Sequence, residues 1–196
     1  MRLFLLLFGL ALPLAAPADT FPYWVALHAG SAKVSIPDAN LNNAQLLMLE
    51  VGQRLHPNFA LEGGMRNLRN ITETGTDDRG DYTLELTSND FFVGGRAISA
   101  PVWQEVQFYA SLGILFNRLR VRLNESFYDI KPGGTAEVIE TSWGTFVNAG
   151  AFLPIDEQID LHMLYSYRMR FDAFDTFNGA RDMHDHALSL GLSYRF

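Results

Sequence analysis

Apolar and polar residues alternate along most of this chain. Ile159, Leu161, Met163, Tyr165, Tyr167, Met169 and Phe171 fall on one face, and Asp160, His162, Leu164, Ser166, Arg168 and Arg170 on the other. A period of two predicts a β-strand with two unlike faces. Globular strands usually run to about 5–6 residues, so the stretch 159–171 is too long for one. It suits a tilted strand that crosses a bilayer, for which about 9–11 residues are needed. The charged face must then point into a closed interior, because lipid cannot hydrate it. The last stretch, 187–196, repeats the pattern: Leu188, Leu190, Leu192, Tyr194 and Phe196 oppose Ala187, Ser189, Gly191, Ser193 and Arg195.

The same alternation predicts strands over 21–33, 44–56, 58–70, 82–100, 105–123 and 137–153, which makes eight. The connections around His56-Pro57-Asn58, 101–104 and 154–157 are short, whereas 34–43, 71–81, 124–136 and 172–182 are longer and more polar. Short turns on one side and long loops on the other fit a transmembrane barrel and have no counterpart in a soluble sandwich. The expected fold is therefore all-β: an eight-stranded antiparallel transmembrane β-barrel with both ends on the short-turn side.

The start of the chain reads differently. Arg2, the apolar run Leu3 to Leu14, and Ala16-Pro17-Ala18 form a positive, a hydrophobic and a small-residue region in that order. This is the arrangement of a cleaved secretory signal peptide. The expected organisation is a signal peptide over 1–18 and a single barrel domain over 19–196. Composition then narrows the partners. The formal net charge is −7, and loss of the leader removes Arg2 as well, which excludes nucleic acid as a partner. There is no cysteine, so no disulfide holds the exported chain. Aromatic residues make up 13% of the chain, and the lysines are Lys33 and Lys131.

Alternation also sorts the candidate chemistry. The predicted lumen carries His28, Glu50, Arg54, Glu62, Arg66, Arg96, Tyr109, Asn148, Asp160, His162, Arg168 and Arg170. Eight strands leave an interior just wide enough for side chains to fill. Opposite charges there are expected to pair as a plug, since an unpaired buried charge is expensive; the alternative is a narrow ion path along the same charges. Asp182, His184, Asp185 and His186 offer imidazole and carboxylate ligands, but at the base of a loop they read as solvated residues, and no metal or other cofactor is expected. Arg118, Arg120 and Arg122 lie beyond the eleven residues that cross the membrane. Without a β-bulge they stay on the lipid side; with one at Asn117 they turn inward.

The segments VGQRLHPNFALEGGMRNL, GRAISAPVWQEVQFYASLGI and VNAGAFLPIDEQIDLHMLYSYR, in this order, resemble successive hairpins of the OmpA/OmpX-like family of eight-stranded outer-membrane barrels. The resemblance covers essentially the whole chain after the leader. It implies residence in the outer membrane of a Gram-negative cell, and a non-enzymatic role in envelope integrity or surface interaction. It further implies that Ser189, Gly191, Tyr194 and Phe196 match the C-terminal signal read by the barrel-assembly machinery. The chain ends with its last predicted strand, so cell-wall anchoring is not implied. Alternatives are a route for small hydrophobic molecules, as in OmpW-like barrels, and a lipid A-modifying enzyme. Neither the His-x-Ser-Asn stretch of outer-membrane deacylases nor the Asp-Ser pair of outer-membrane acyltransferases occurs here. In an outer membrane, Arg118, Arg120 and Arg122 on the lipid side would meet lipopolysaccharide phosphates, which arginine binds well. A monomer is expected.

Overall fold

The computed structural model describes residues 22–36, 39–76, 80–102, 105–127, 133–173 and 182–196. The predicted signal peptide lies outside these residues. Eight strands follow in order: β1 (Tyr23–Ile36), β2 (Ala39–His56), β3 (Phe59–Thr76), β4 (Gly80–Ile98), β5 (Gln107–Phe127), β6 (Thr135–Pro154), β7 (Ile159–Arg170) and β8 (Met183–Arg195). Each pairs antiparallel with its sequence neighbours, and β8 pairs with β1 to close the barrel. Closure leaves the membrane-spanning ladder without an edge, the condition for a sheet in lipid.

The closing seam explains the C-terminal residues. β1 pairs with β8 from Trp24↔Arg195 to Ser35↔His184. Tyr23 and Phe196 exchange backbone hydrogen bonds of 3.2 and 2.9 Å. Their rings stack with centroids 6.0 Å apart, and Tyr194 stacks on Phe196 in turn. Aromatic rings at this rim suit the membrane interface. Ser189 and Gly191 face inward, and a Cβ at Gly191 would collide with the His28 ring.

The strands run further than the alternation predicts. Segments 34–43, 71–81 and 124–136, expected as loops, carry the β-ladder on at both of their ends: Thr72 to Thr76 pair with Glu85 to Asp81, and Leu123 and Asn124 with Ala136 and Thr135. The physical reason is simple. Beyond the bilayer both faces of a hairpin meet water, so hydrogen bonding continues after apolar alternation has stopped. One bulge also shifts parity. Between Leu68 and Ile71, β3 carries an extra residue against β4, and both side chains face inward.

The wall is apolar outside. Leu47, Leu112, Ile114, Val147, Leu188, Leu190 and Leu192 are exposed, Leu112 at 70%. Such a band would aggregate in water and is the lipid-facing surface of a barrel.

Candidate functional site: the lumen and the outer rim

The lumen is filled in layers. At the short-turn mouth, Asp160 accepts a hydrogen bond from Ser193 Oγ at 3.1 Å and lies 3.2 Å from Arg195 Nε. Arg54 is half-buried there and donates to Gln107 Oε1 at 3.5 Å. One layer further in, Arg96 bridges Glu50 and Glu62 at 2.6 Å each. The Trp24 indole donates to Glu50 at 2.9 Å, and the Arg96 guanidinium sits 4.1 Å from the Tyr109 ring centroid. His28 and His162 pack edge to face beside this layer.

An apolar septum follows. Phe92 and Phe146 meet edge to face with centroids 5.3 Å apart, beside the buried Met48, Leu115 and Leu164. The Phe146 ring occupies the space that a Cβ at Gly94 or Gly113 would need. Glycine at these inward positions lets the ring lie against the wall.

Above the septum is a second charge cluster. Arg66 makes a two-pronged bond to Asp185 at 2.8 and 2.6 Å and reaches Asp90 at 3.0 Å. Arg170 reaches Asp185 at 2.6 Å and Asp90 at 2.7 Å. Arg168 lies 3.3 Å from Asp90, with its guanidinium 4.6 Å from the Phe92 ring centroid. Asn117 donates to Ser88 and to Asp90 at 2.7 and 2.8 Å. Two-pronged arginine–carboxylate pairs fix geometry as well as charge. Beyond this cluster most inward residues are apolar: Val34, Leu46, Leu68, Ile71, Leu86, Leu119, Val121 and Met183 are buried, and Glu140 is buried beside them, registered with Leu119.

The structure thus brings Glu50, Glu62 and Arg96 into one group and Arg66, Arg168 and Arg170 into another, while Asp160 and His162 line the mouth. The alternation does not single out Asp90 and Asp185, the two carboxylates that hold the second group. Asp90 shares the parity of Arg96 on its strand, which is the signal that marks it as inward. Asp185 corrects the loop assignment of 182–186: it lies in β8, with His184 and His186 facing outward. The Tyr165 hydroxyl and His186 Nδ1 lie 2.6 Å apart, and Tyr167 packs 4.8 Å from the same imidazole. Among the described residues, no group of three or more His, Cys, Asp or Glu side chains could hold a metal.

Ser193, His162 and Asp160 resemble a catalytic constellation in composition alone. His162 Nε2 lies 2.8 Å from Ser193 Oγ. Because Ser193 donates its single proton to Asp160, the imidazole N–H must be the donor to Ser193. A histidine that donates to serine is not acting as its general base.

The rim shows a separate pattern. β5 runs through Asn117 with no register shift against β4 or β6, so Arg118, Arg120 and Arg122 stay outward. Moving outward from the apolar band, the first charged wall residues described are Lys33 on β1, Arg69 on β3 and Arg118 on β5. On β4 and β6 the outward carboxylates begin only at Glu85 and Glu137, both registered with Arg122, whereas at the end of β7 Asp172 is exposed directly after Phe171. Glu137 pairs with Arg120 at 3.1 Å.

Solved structures place this architecture. Neisserial surface protein A is 17% identical with a TM-score of 0.61, covering 89% of this chain and 97% of its own. Ail, the attachment invasion locus protein of Yersinia pestis, is 12% identical with a TM-score of 0.59, covering 91% and 100%. A major outer membrane protein from Thermus thermophilus is 13% identical with a TM-score of 0.59, covering 91% and 100%. A search of curated protein sequences finds no match. The family model of the outer membrane protein beta-barrel domain matches residues 3–196. The closed eight-stranded sheet, the apolar outer band and this match together make the chain a member of the outer membrane protein beta-barrel domain family, a barrel of the outer membrane.

Proposed function

We propose that the protein is a non-enzymatic structural barrel that stabilises the outer leaflet by holding lipopolysaccharide at its cationic rim. The observation that carries this reading is the order of charges on the wall across β1 to β6: Lys33, Arg69 and Arg118 come first, directly above the apolar band, and Glu85 and Glu137 follow further out. Phosphates at the base of the glycolipid sit at that height, and arginine pairs with them well. The filled lumen supports a structural role over transport: among the described residues, the Phe92–Phe146 septum and the ion-paired Arg66–Asp90–Asp185–Arg170 cluster fill its cross-section. Export by the signal peptide over 1–18 and delivery by the barrel-assembly machinery through Ser189, Gly191, Tyr194 and Phe196 belong to the same reading.

The test compares urea unfolding of the refolded barrel in phospholipid vesicles with and without lipopolysaccharide. Lipopolysaccharide should raise the unfolding midpoint of the wild type. The Arg118→Ala/Arg120→Ala/Arg122→Ala variant should lose most of that increment while unfolding normally in phospholipid alone. An equal increment in both proteins would overturn the proposal.

A further inference from the structure

The outer wall of β3 to β6 is built in rows. Met65, Phe91, Phe116 and Trp143 are in register across the four strands and close the apolar band. The next row outward is Asn67, Asn89, Arg118 and Thr141. Amides gain nothing from lipid, so this row marks the level of the headgroups. Arg69 follows on the same face of β3, and its Nε–H donates to Asn67 Oδ1. Asn67 Nδ2 donates to Asn89 Oδ1 at 2.7 Å. Chemistry fixes the direction of this relay. A guanidinium only donates, so Asn67 turns its oxygen to Arg69 and its NH2 to Asn89. Asn89 then turns its oxygen to Asn67 and its NH2 towards β5, where Arg118 stands opposite in register. Side chains so paired have Cβ atoms about 4.5–5.5 Å apart, but two donors cannot bond to each other. Among the described residues, neither the Asn89 NH2 group nor the Arg118 guanidinium has an acceptor, and no carboxylate pairs with Arg118. Arg120, further out, is held by Glu137 at 3.1 Å.

We propose that Asn89 and Arg118 form a subsite for a single phosphate monoester, carried on the sugar of an outer-leaflet glycolipid, with Asn67 and Arg69 as positioning residues. This rests on the reading of the rim as a lipopolysaccharide site and narrows it from a charged belt to one pair of side chains. A phosphate monoester carries a charge of about −1.5 to −2 and three acceptor oxygens at neutral pH. It therefore matches a place that offers only donors: the guanidinium fork takes two oxygens and the Asn89 N–H the third. A metal ion finds no lone pair there, and a phosphodiester brings roughly half the charge. Arg69 does not touch the phosphate; it acts by holding the two amides the right way round.

Urea unfolding of the full chain in phosphatidylcholine vesicles, alone or with phosphatidylglycerol, lipopolysaccharide or dephosphorylated lipopolysaccharide, tests this. The rise in midpoint that lipopolysaccharide gives the wild type should fall by at least half on dephosphorylation. Asn89→Leu should lose at least half of it with no change in net charge. Thr87→Leu, half-buried on the same strand and registered with Arg120, should keep it. Solid-state NMR of the wild type should show phosphorus–nitrogen contacts from bound lipopolysaccharide to Asn89 Nδ2 and Arg118 Nη. In Asn67→Leu the contact to Asn89 should weaken and that to Arg118 remain, while the midpoint in phosphatidylcholine alone stays unchanged. A rise untouched by Asn89→Leu, or lost equally in Thr87→Leu, would overturn the subsite and leave the cationic rim in place. No rise in the wild type would remove both. An equal rise from phosphatidylglycerol would assign the site to phospholipid and overturn the glycolipid. Absence of the Asn89 contact in the wild type would overturn the subsite even where the variants do not fold.

Discussion

Replacing Asp185 by alanine should be among the most damaging single changes in the barrel. The carboxylate accepts hydrogen bonds of 2.8 and 2.6 Å from Arg66 and of 2.6 Å from Arg170, with no exposure of its side chain or theirs. Charge-assisted hydrogen bonds contribute about 1.5–3 kcal/mol each, so three of them sum to roughly 5–9 kcal/mol. That sum overstates the loss, because Arg66 and Arg170 keep Asp90 at 3.0 and 2.7 Å. The measured cost of breaking a buried ion pair by removing one partner, about 3–5 kcal/mol, is the better guide. Urea unfolding of the refolded protein in vesicles, monitored by tryptophan fluorescence, measures it. Asp156→Ala is the control, since Asp156 is exposed in the β6–β7 turn and its side chain accepts one bond of 2.7 Å from the Glu157 backbone. It should shift stability by less than about 1 kcal/mol. The double variant Asp185→Ala/Arg170→Leu should recover part of the loss, because one of the stranded cations is then gone. A cost below about 1 kcal/mol for Asp185→Ala, matching the control, would refute the view that the outer cluster is buried and tightly coupled.

Gly113→Ala places a Cβ against Phe146 and the opposing backbone and should destabilise the barrel by about 1–3 kcal/mol; denaturant unfolding checks it, and Phe146→Leu in the same chain should relieve the part due to the ring. Removing the ring in Phe196→Ser deletes the stacks on Tyr23 and Tyr194 at the closing seam. The folded yield should fall in a refolding time course into vesicles, while Phe59→Ser, equally at the periplasmic rim but away from the seam, should fall less. In planar bilayers the wild type should show no steady conductance, because the septum and the ion-paired cluster block the lumen; conductance altered by Glu62→Ala or Arg96→Ala would contradict this.

How much of this was legible in the sequence follows from what alternation measures. In the bilayer each residue meets either lipid or lumen, so period two is enforced, and the inward parity of Glu50, Glu62, Arg66, Arg96, His162 and Arg168 reads directly. Outside the bilayer nothing enforces it, so 71–81 reads as loop although Thr72 to Thr76 continue the ladder. The apolar outer lumen was hidden for a related reason. Leu46, Leu68, Leu119 and Val121 are leucine and valine on a face expected to be polar, and the bulge after Leu68 reverses the parity that would have placed Ile71. Asp185 was missed because it stands between two histidines in a polar stretch, where a strand and a loop base have the same composition. Whether Arg118 faced inward turned on a bulge, a backbone feature that side-chain identity does not report.

The buried charges need a reason, because well-packed apolar residues of similar volume often serve stability as well or better. Register supplies one. A strand whose two faces are both apolar can slip by one residue and still satisfy lipid and lumen. A slip by one residue in β7 would turn Arg168 and Arg170 out of the lumen, and in β3 it would do the same to Arg66. An arginine facing lipid costs about 2–4 kcal/mol at the bilayer midplane and less towards the interface. A slip in β7 alone therefore forfeits several kcal/mol before any lost ion pair is counted. The charges also keep one face of β2, β3, β4, β7 and β8 partly polar while the chain crosses water to reach its membrane. The test is to replace Arg66, Asp90, Arg168, Arg170 and Asp185 together by leucine and methionine. On this argument the folded barrel would be no less stable to urea, but a larger fraction of chains would refold into misregistered species resolved by limited proteolysis. A clean, single folded species in that variant would show that register is set elsewhere, by the bulges and the closing seam.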